Sequence, residues 1–336
     1  MRRTSARCAL LIILLMPTLA AAPRTHSAPQ VAGCPLFPED HIWNAPIAHL
    51  PLDPNSAHYI AAIGADVGLH PDFGSGTWEG GPIGIPYGTV PPSQGRVAIH
   101  YLWADESDAG PFPIPTDAPI EGGAQSDGDR HVLVVERENC RLYELYRAFP
   151  QADGSWRADA GAVFDLRGYA LRPDGWTSAD AAGLAILPGL VRYEEVAAGE
   201  MRHAIRFTAP QTRDAHVWPA RHDASSLTAT HYPPMGQHFR LCADFDLTPF
   251  DPQVQVILRA LQRYGMILAD NGSPWYLSGA PDPRWDNDLL RQLRQVKGRD
   301  FEAVDVSGLM QHPDSGQVRA QPQRRVLLPL IWRSSS

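Results

Sequence analysis

The sequence predicts a mainly β protein of the α+β type: an antiparallel β-sandwich or barrel-like sheet system with a few peripheral helices. Short runs that alternate apolar and polar residues recur along the chain with turns between them. The 28 glycines and 32 prolines interrupt the chain too often for a largely helical protein. Two longer segments carry a helical period. The regular recurrence of short strands favours antiparallel pairing over strand–helix–strand units.

The N-terminus has the pattern of a secretory signal peptide. Three arginines in the first seven residues precede an apolar run at residues 9–15, and small residues at 19–22 provide a cleavage site. The apolar run is shorter than the ~20 residues needed to cross a bilayer. We therefore expect a secreted, extracellular or cell-surface protein without a transmembrane segment.

The domain organisation is predicted to be simple. Residues 1–22 form the signal peptide, 23–55 a proline-rich extended lead-in, 56–310 a single β-rich globular domain and 311–336 a C-terminal tail. No internal repeat or flexible linker composition is visible. The apolar run at 324–332 in the tail is too short to span a membrane and is typical of an edge strand or a terminal surface-attachment signal.

Charge and motifs exclude several classes of function. Removing residues 1–22 takes the net charge from −8 to −11, because that segment holds three arginines and no acidic residue. Such a chain repels phosphate backbones, so no nucleic-acid partner is expected. Gly-rich phosphate loops, Gly-x-Ser-x-Gly elbows, His-Glu-x-x-His pairs and Cys-x-x-Cys pairs are missing from the sequence. We predict no cofactor.

Three cysteines follow the signal peptide, and an oxidising compartment should pair two of them. We predict a disulfide between Cys34 and Cys140, because Cys242 lies in an alternating run and looks like a small buried strand residue. Residues 31–34 also read as a lipoprotein cleavage box. Lipid anchoring at Cys34 is therefore the alternative, and it would leave Cys140 to pair with Cys242.

The first half of the chain contains one short helix and several strands. The helix starts at Asn55 or Ser56 and ends at Ile63 before Gly64. The Gly- and Pro-rich segment 68–95 predicts short strands and ordered loops. Alternation predicts a half-buried strand at 96–103, a hairpin from 131–136 and 141–147, and further strands at 161–166, 186–192, 202–208, 214–219, 238–244 and 325–331.

Two helices are predicted in the last third. One is capped by Asp251, has a proline at its first position and stops at Gly265. The other begins at Asp282 and closes near Gly298. Between them, apolar runs at 266–270 and 275–277 flank Asn271-Gly272, a dipeptide typical of a tight hairpin.

Metal binding is not predicted. The histidine spacings in the chain match no standard zinc or copper pattern. An acidic loop could hold calcium, but its spacing departs from the usual calcium loop, so we expect it to be solvated. Its carboxyl residues are Asp105, Glu106, Asp108, Asp117 and Glu121.

The segment 201–240 contains the candidate site, because it concentrates five histidines and five arginines against two aspartates in an acidic chain. On a strand, His203 would face inward with Ile205, and Arg206 would face the other way. His203 is then either a hydrogen-bonded core residue or a general acid or base in a cleft.

The run 218–223 brings an aromatic ring, an arginine fork and a titratable ring together. Aromatic rings stack on sugar faces, and a guanidinium matches a carboxylate. We therefore predict that Arg221 and His222, with His203, are catalytic. The predicted substrate-binding residues are Arg206, Trp218, Gln237, His238 and Trp275.

Carboxylates that would suit a glycoside hydrolase are also present. Such an enzyme needs two carboxyl groups about 5–10 Å apart. Glu136 and Glu144 lie on the two strands of the predicted hairpin and are the first candidates. Asp180 and Asp270 are alternatives, although an aspartate before Asn-Gly is also ordinary turn chemistry.

Several motifs resemble those of a group of secreted bacterial proteins. They are Ala182-Gly183-Leu184 with the run 187–192, His203-Ala204-Ile205-Arg206-Phe207, Trp218-Pro219-Ala220-Arg221-His222, and Tyr264-Gly265-Met266 with Asp270-Asn271-Gly272. These motifs cover about a third of the chain specifically. The resemblance implies membership of that group and implies no particular activity.

Together these features predict a secreted carbohydrate-active protein. The leading hypothesis is a glycan-degrading enzyme, either a lyase or a hydrolase, that acts on a polar or anionic polysaccharide such as a cell-wall polymer. The alternative is a non-catalytic cell-surface or glycan-binding module that uses the same aromatics and arginines. A third hypothesis is a structural secreted protein whose histidines belong to the core.

Overall fold

The computed structural model describes residues 28–320 and contains seventeen strands and four α-helices in that range. The predicted signal peptide and the apolar run at 324–332 lie outside the described residues. The helices are α1 (Ser56–Ile63), α2 (Tyr193–Ala197), α3 (Pro252–Arg263) and α4 (Asn287–Leu290). The strands are β1 (Gln30–Val31), β2 (Cys34–Pro35), β3 (His70–Asp72), β4 (Thr77–Trp78), β5 (Gly81–Pro82), β6 (Tyr87–Val90), β7 (Ile99–Tyr101), β8 (Val132–Glu136), β9 (Arg141–Tyr146), β10 (Phe149–Pro150), β11 (Trp156–Ala158), β12 (Ala160–Asp165), β13 (Ile205–Ala209), β14 (His238–Leu241), β15 (Met266–Asn271), β16 (Tyr276–Ser278) and β17 (Phe301–Val304).

Three sheets form most of the structure and confirm the mainly β prediction. The largest has the strand order β17-β14-β15-β13-β16-β3, the second β12-β9-β8-β6 and the third β10-β11-β7. These sheets contain both antiparallel and parallel strand pairs. The parallel pairs are β13 with β15, β16 with β3, β6 with β8 and β11 with β7.

The four-stranded sheet is buried on both faces. Successive side chains of a strand point to opposite sides, so Leu133 and Val135 of β8 enter the main core, which also contains residues of the six-stranded sheet. Val132 and Val134 enter a second core with Trp156 of the three-stranded sheet. The sheets are therefore packed in layers, as expected for a sandwich-like system.

The predicted helices are present, with one shifted start. α1 has the predicted bounds, and the Asp251 side chain accepts the Gln253 N–H at the start of α3. α4 begins at Asn287 rather than near Asp282 and continues as a 3-10 turn at Arg291–Gln295. The start is later because Asp286 caps the helix, whereas Asp282 accepts the Arg284 N–H in a turn.

The predicted hairpin at Asn271-Gly272 is wrong. The hairpin from β8 and β9 forms as predicted, but β15 and β16 do not pair with each other. Instead β13 lies between them, parallel to β15 and antiparallel to β16. Gly272 and Trp275 donate their N–H groups to β13, so pairing with a distant strand replaces the local turn.

Two other predicted strands are absent from the described residues. The run 186–192 forms a 3-10 turn at Leu187–Gly189 instead of a strand. The run 214–219 has a single bridge between His216 and Met235. Pro188 lies inside the first run, and the bridge partner of the second run, Met235, directly follows Pro233 and Pro234, which lack the N–H that strand pairing needs.

The disulfide between Cys34 and Cys140 is present, as predicted. It joins β2 in the lead-in to the turn between β8 and β9, across a sequence separation of 106 residues. Cys242 is a free, partly buried thiol. Within residues 28–320, no helix is long and apolar enough to cross a membrane.

Candidate functional site

A cleft of about 470 Å³ opens where the ends of β9 and β15 meet the loop at residues 177–181. We call it the aspartate cleft, because three aspartates line it. Its lining residues are Trp103, Glu106, Asp129, Tyr146, Thr177, Ser178, Ala179, Asp180, Ala181, His222, Ala224, Asp270 and Asn271.

Arg206 of β13 lies beneath the cleft and joins two of its aspartates. Its Nε donates to Asp180 Oδ2 at 3.1 Å and its Nη2 to Asp180 Oδ1 at 2.9 Å. The same Nη2 donates to Asp270 Oδ2 at 2.8 Å, and Nη1 donates to Ser278 Oγ at 2.8 Å. Asp180 Oδ1 and Asp270 Oδ2 therefore accept from the same nitrogen, Arg206 Nη2. The two oxygens can be no further apart than these two hydrogen bonds laid end to end.

One guanidinium can balance only one of these two carboxylates. Burial raises the pKa of the fully buried Asp180, and the Arg206 charge lowers it only in part. Burial also raises the pKa of Asp270 to about 7; Arg206 opposes this shift, whereas the charges of Asp180 and Asp129 add to it. Asp270 keeps 21% of its side chain exposed. It is therefore the member of the pair that a ligand in the cleft can reach.

His131 provides a second buried positive charge next to the cleft. Its Nδ1 lies 2.6 Å from Glu121 Oε2 and its Nε2 lies 2.9 Å from the Ala179 carbonyl oxygen. Both atoms are acceptors, so both ring nitrogens must carry a proton. Burial lowers the pKa of His131, but the Glu121 carboxylate more than offsets this and raises it to about 9.

This arrangement bears on a possible metal site. Possible ligand atoms of Glu121, Asp129 and His131 lie within 4.8 Å of one another. A histidine binds a metal through an unprotonated nitrogen, however, and both nitrogens of His131 are used as donors. The geometry therefore fits an ion pair of His131 with Glu121 better than a metal centre.

One wall of the cleft is aromatic. The rings of Trp103 and Tyr146 stack with centroids 6.1 Å apart and an interplanar angle of 13°. Trp103 is 43% exposed, so its ring remains available to a ligand. Flat apolar faces beside carboxyl groups suit a sugar ring, which has apolar C–H faces and polar edges.

His222 and Glu106 lie on the rim. His222 Nδ1 donates to the Ala181 carbonyl oxygen at 2.8 Å, which orients the ring. Its Nε2 lies 3.8 Å from Glu106 Oε2, beyond direct hydrogen-bond distance. His222 is the one predicted catalytic residue that lines the cleft.

The loop carrying Asp180 is fixed by local chemistry. Ser178 Oγ accepts the Asp180 N–H at 2.9 Å and donates to the Leu184 carbonyl oxygen at 2.6 Å. Gly183 closes the loop with a φ of +69°, and a Cβ there would lie 2.6 Å from the Trp176 carbonyl oxygen. This position therefore requires glycine.

The other residues predicted to be catalytic lie outside the cleft. His203 is fully buried, with its Nε2 3.2 Å from Glu195 Oε2. Arg221 donates to the carbonyl oxygens of Arg172 and Pro313 and to the side chain of Asp314. Glu136 is buried and bound to Arg96 at 2.8 Å, and Glu144 is fully buried. Their polar atoms hold the fold together, and none of the four lines the cleft.

The residues predicted to bind substrate are also mostly structural. Trp218 donates to the Ser315 carbonyl oxygen, Gln237 to those of His238 and Val304, and Trp275 to that of Gly64. Trp275 and His238 are fully buried. Arg206 contacts the cleft only through its two aspartates. The basic segment 201–240 is thus distributed over several parts of the fold.

Glu144 has an expected effect on stability. Its carboxyl oxygens accept three hydrogen bonds of 3.0 Å from the N–H groups of Ile186 and Leu187. Glu144→Gln turns an NH₂ group toward those donors, so we expect a loss of about 1–3 kcal/mol in the free energy of unfolding at pH 5. Denaturant unfolding measures it.

The size of that loss should depend on pH. Burial raises the pKa of Glu144 to about 7, while the backbone donors lower it. The folded pKa lies above the unfolded one, so this contribution is complete below about pH 4.5 and is lost as pH rises through about 7. The difference between wild type and Glu144→Gln should therefore shrink from pH 5 to 8. A difference that grows would contradict this assignment.

Most residues of the aspartate cleft carry no signal in the local sequence. Asp129 lies in a polar segment without a recognisable motif, and Glu106 belongs to the acidic loop that is predicted to be solvated. Trp103 lies just beyond β7, which ends at Tyr101, although the strand is predicted to extend over 96–103. Of the four carboxyl residues predicted for a hydrolase, Asp180 and Asp270 line the cleft, whereas Glu136 and Glu144 do not.

Comparison of the chain with protein-family models, with curated proteins and with solved structures finds no match.

Proposed function

We propose that the protein is a secreted glycan hydrolase that cleaves a neutral polysaccharide in the aspartate cleft. In this proposal Asp270 is the general acid and Asp129 is the partner carboxyl group. Trp103 and Tyr146 hold a sugar ring by stacking. The supporting observation is the Asp270 carboxyl group, which opens on the cleft while it shares Arg206 with the buried Asp180.

The charge of the cleft favours a neutral substrate. Four carboxyl residues line it, and His222 is the only basic side chain among the lining residues. Arg206 and Arg221, which could have neutralised a uronate, are bound to aspartates and carbonyl oxygens. An anionic polysaccharide would be repelled, so β-elimination has less support than hydrolysis.

The proposed chemistry uses two carboxyl groups in different surroundings. Protonated Asp270 gives its proton to the glycosidic oxygen as the bond from that oxygen to the sugar carbon breaks. Two routes complete the reaction at that carbon. Either Asp129 acts as base and takes a proton from the attacking water, or Asp129 attacks the carbon as nucleophile and water then cleaves the bond formed between them. Asp129 is exposed, whereas Asp270 is largely buried beside a second aspartate, and this difference separates their roles.

Secretion is part of the proposal. The pattern at residues 1–22 directs it, and the Cys34–Cys140 disulfide is compatible with an oxidising, extracellular location. The resemblance to secreted bacterial proteins points the same way.

A non-catalytic glycan-binding module is the second candidate. The exposed ring of Trp103 favours it, because such a ring binds sugar whether or not a bond is cleaved. The two candidates differ in their products: a hydrolase releases new reducing ends, and a binding module retains the polysaccharide unchanged.

The test is a panel of soluble xylan, mannan, hydroxyethylcellulose, starch and polygalacturonate incubated with the purified protein. We expect new reducing ends from at least one neutral polymer and none from polygalacturonate. Retardation on an affinity gel without reducing ends would favour the binding module. Unsaturated products from polygalacturonate would contradict the proposal.

The pH dependence of hydrolysis should follow Asp270. The general acid must carry a proton, and burial beside Asp180 raises its pKa to about 7. We expect kcat/KM to fall as pH rises above about 7. A rate that keeps rising up to pH 9 would exclude Asp270 as the acid.

A further inference from the structure

A second and larger cleft, of about 910 Å³, lies next to the aspartate cleft. We call it the Trp78 cleft. The loop 121–129 forms a common wall, because Glu121 and residues 125–128 line the Trp78 cleft and Asp129 lines the aspartate cleft. The two cavities are therefore neighbours on the protein surface.

Trp78 is presented to solvent on a short hairpin. It lies in β4, which pairs with β5, and the two turn residues Glu79 and Gly80 have φ angles of +50° and +87°. Positive φ at both positions is the conformation of a tight hairpin turn. The indole is 72% exposed, the largest exposure of any large apolar side chain noted among residues 28–320. An exposed indole on a tight hairpin beside a cleft offers a flat apolar face to a ligand in that cleft.

A second aromatic platform lies in the same cleft. The rings of His70 and Tyr276 stack with centroids 4.0 Å apart and an interplanar angle of 13°. Arg294 Nη2 lies 3.3 Å from His70 Nδ1 and supplies polar groups at the edge of this platform. Carboxylates and arginines both line the cleft, so it has no single sign of charge. Flat rings with mixed polar edges match an uncharged sugar.

We propose that the Trp78 cleft binds further sugar units of the same neutral polysaccharide chain whose bond is cleaved in the aspartate cleft. This inference takes its ligand class from the proposed function. The polysaccharide would pass over the protein loop 121–129. It would contact Trp103 and Tyr146 in the aspartate cleft and Trp78 in the Trp78 cleft. The protein would then act within long chains and would discriminate against short ones.

The test compares binding of octasaccharides with binding of disaccharides and trisaccharides. Cello-, xylo-, manno- and malto-oligosaccharides are titrated by calorimetry into the Asp270→Asn protein, which prevents cleavage. Adding Trp78→Ala should weaken octasaccharide binding about tenfold and leave the shorter ligands unaffected. Adding Trp103→Ala, the matched control, should weaken both lengths. Equal unfolding midpoints exclude loss of folding.

Three results would overturn the inference. They are unchanged octasaccharide binding in the Trp78→Ala protein, an equal loss for both lengths, and no binding of any length to the protein with both tryptophans. Failure of the proposed function would look different. Reducing ends would be missing, whereas length-dependent binding that requires Trp78 would remain.

Discussion

Asp270→Asn is expected to reduce the kcat for neutral glycans by about a hundred- to ten-thousand-fold, the contribution typical of a general acid. Asparagine has nearly the same shape, and its amide oxygen can still accept the hydrogen bond from Arg206 that is now 2.8 Å long. It has no carboxyl proton to give to the leaving oxygen. Reducing-end assays on the polymer cleaved by the wild type measure the loss.

Asp117→Asn is the matched control, because Asp117 is exposed and lies outside the aspartate cleft. It should keep full activity. The Asp270→Asn protein should stay folded but unfold at a somewhat lower denaturant concentration than the wild type, because Asp270 accepts from both Arg206 Nη2 and the Asn271 N–H and an asparagine NH₂ group must face one of these donors. Retention of wild-type kcat by the Asp270→Asn protein would exclude Asp270 as the catalytic acid.

Arg206→Met is expected to lower the free energy of unfolding by about 3–5 kcal/mol, the usual cost of removing one partner of a buried ion pair. Arg206 is 4% exposed and Asp180 is fully buried. Without the guanidinium, the Asp180 carboxyl group loses both of its hydrogen bonds from Arg206 and the charge that balances it. Urea unfolding at pH 7 measures the change.

Two variants serve as controls for this prediction. Arg299→Met breaks an ion pair with Asp66 in which both side chains are largely exposed, so it should cost about 0–1 kcal/mol. Adding Asp180→Asn to Arg206→Met should recover part of the stability, because the unpaired charge is removed. If Arg206→Met lowered the free energy of unfolding as little as Arg299→Met, the contacts of Arg206 with Asp180 and Asp270 would not stabilise the fold.

Local sequence signals predicted the parts of the fold that depend on neighbouring residues. The end of α1 before Gly64, the cap at Asp251 and the hairpin of β8 and β9 follow from glycine at a helix end, capping and strand alternation. The Asn55 side chain makes no capping hydrogen bond at the start of α1. The hairpin predicted at Asn271-Gly272 does not form, although its local turn signal is strong. A distant strand, β13, supplies the hydrogen bonds there, and no local pattern encodes that insertion.

The site was harder to predict than the fold, because charge density in the sequence did not mark the cleft. The basic segment 201–240 supplied the residues most expected to act, yet Arg221 and His203 bind carbonyl and carboxyl groups within the fold. Buried arginines and histidines need hydrogen-bond partners within the fold. A segment rich in these residues can therefore be structural and does not by itself indicate a functional site.

Asp180 and Asp270 illustrate the missing information. They are 90 residues apart in the sequence, and each looks like a turn residue by itself. Their chemistry arises because Arg206 from a third segment binds both. That arrangement depends on tertiary contacts, which spacing in one sequence does not provide.

The most direct test of the central claim is a crystal structure of the Asp270→Asn protein soaked with the neutral oligosaccharide that the wild type cleaves. We predict a sugar ring stacked on Trp103 and Tyr146, with a glycosidic oxygen within hydrogen-bond distance of the side chain at position 270. A sugar bound elsewhere on the protein, or an aspartate cleft without sugar at saturating ligand, would contradict the account.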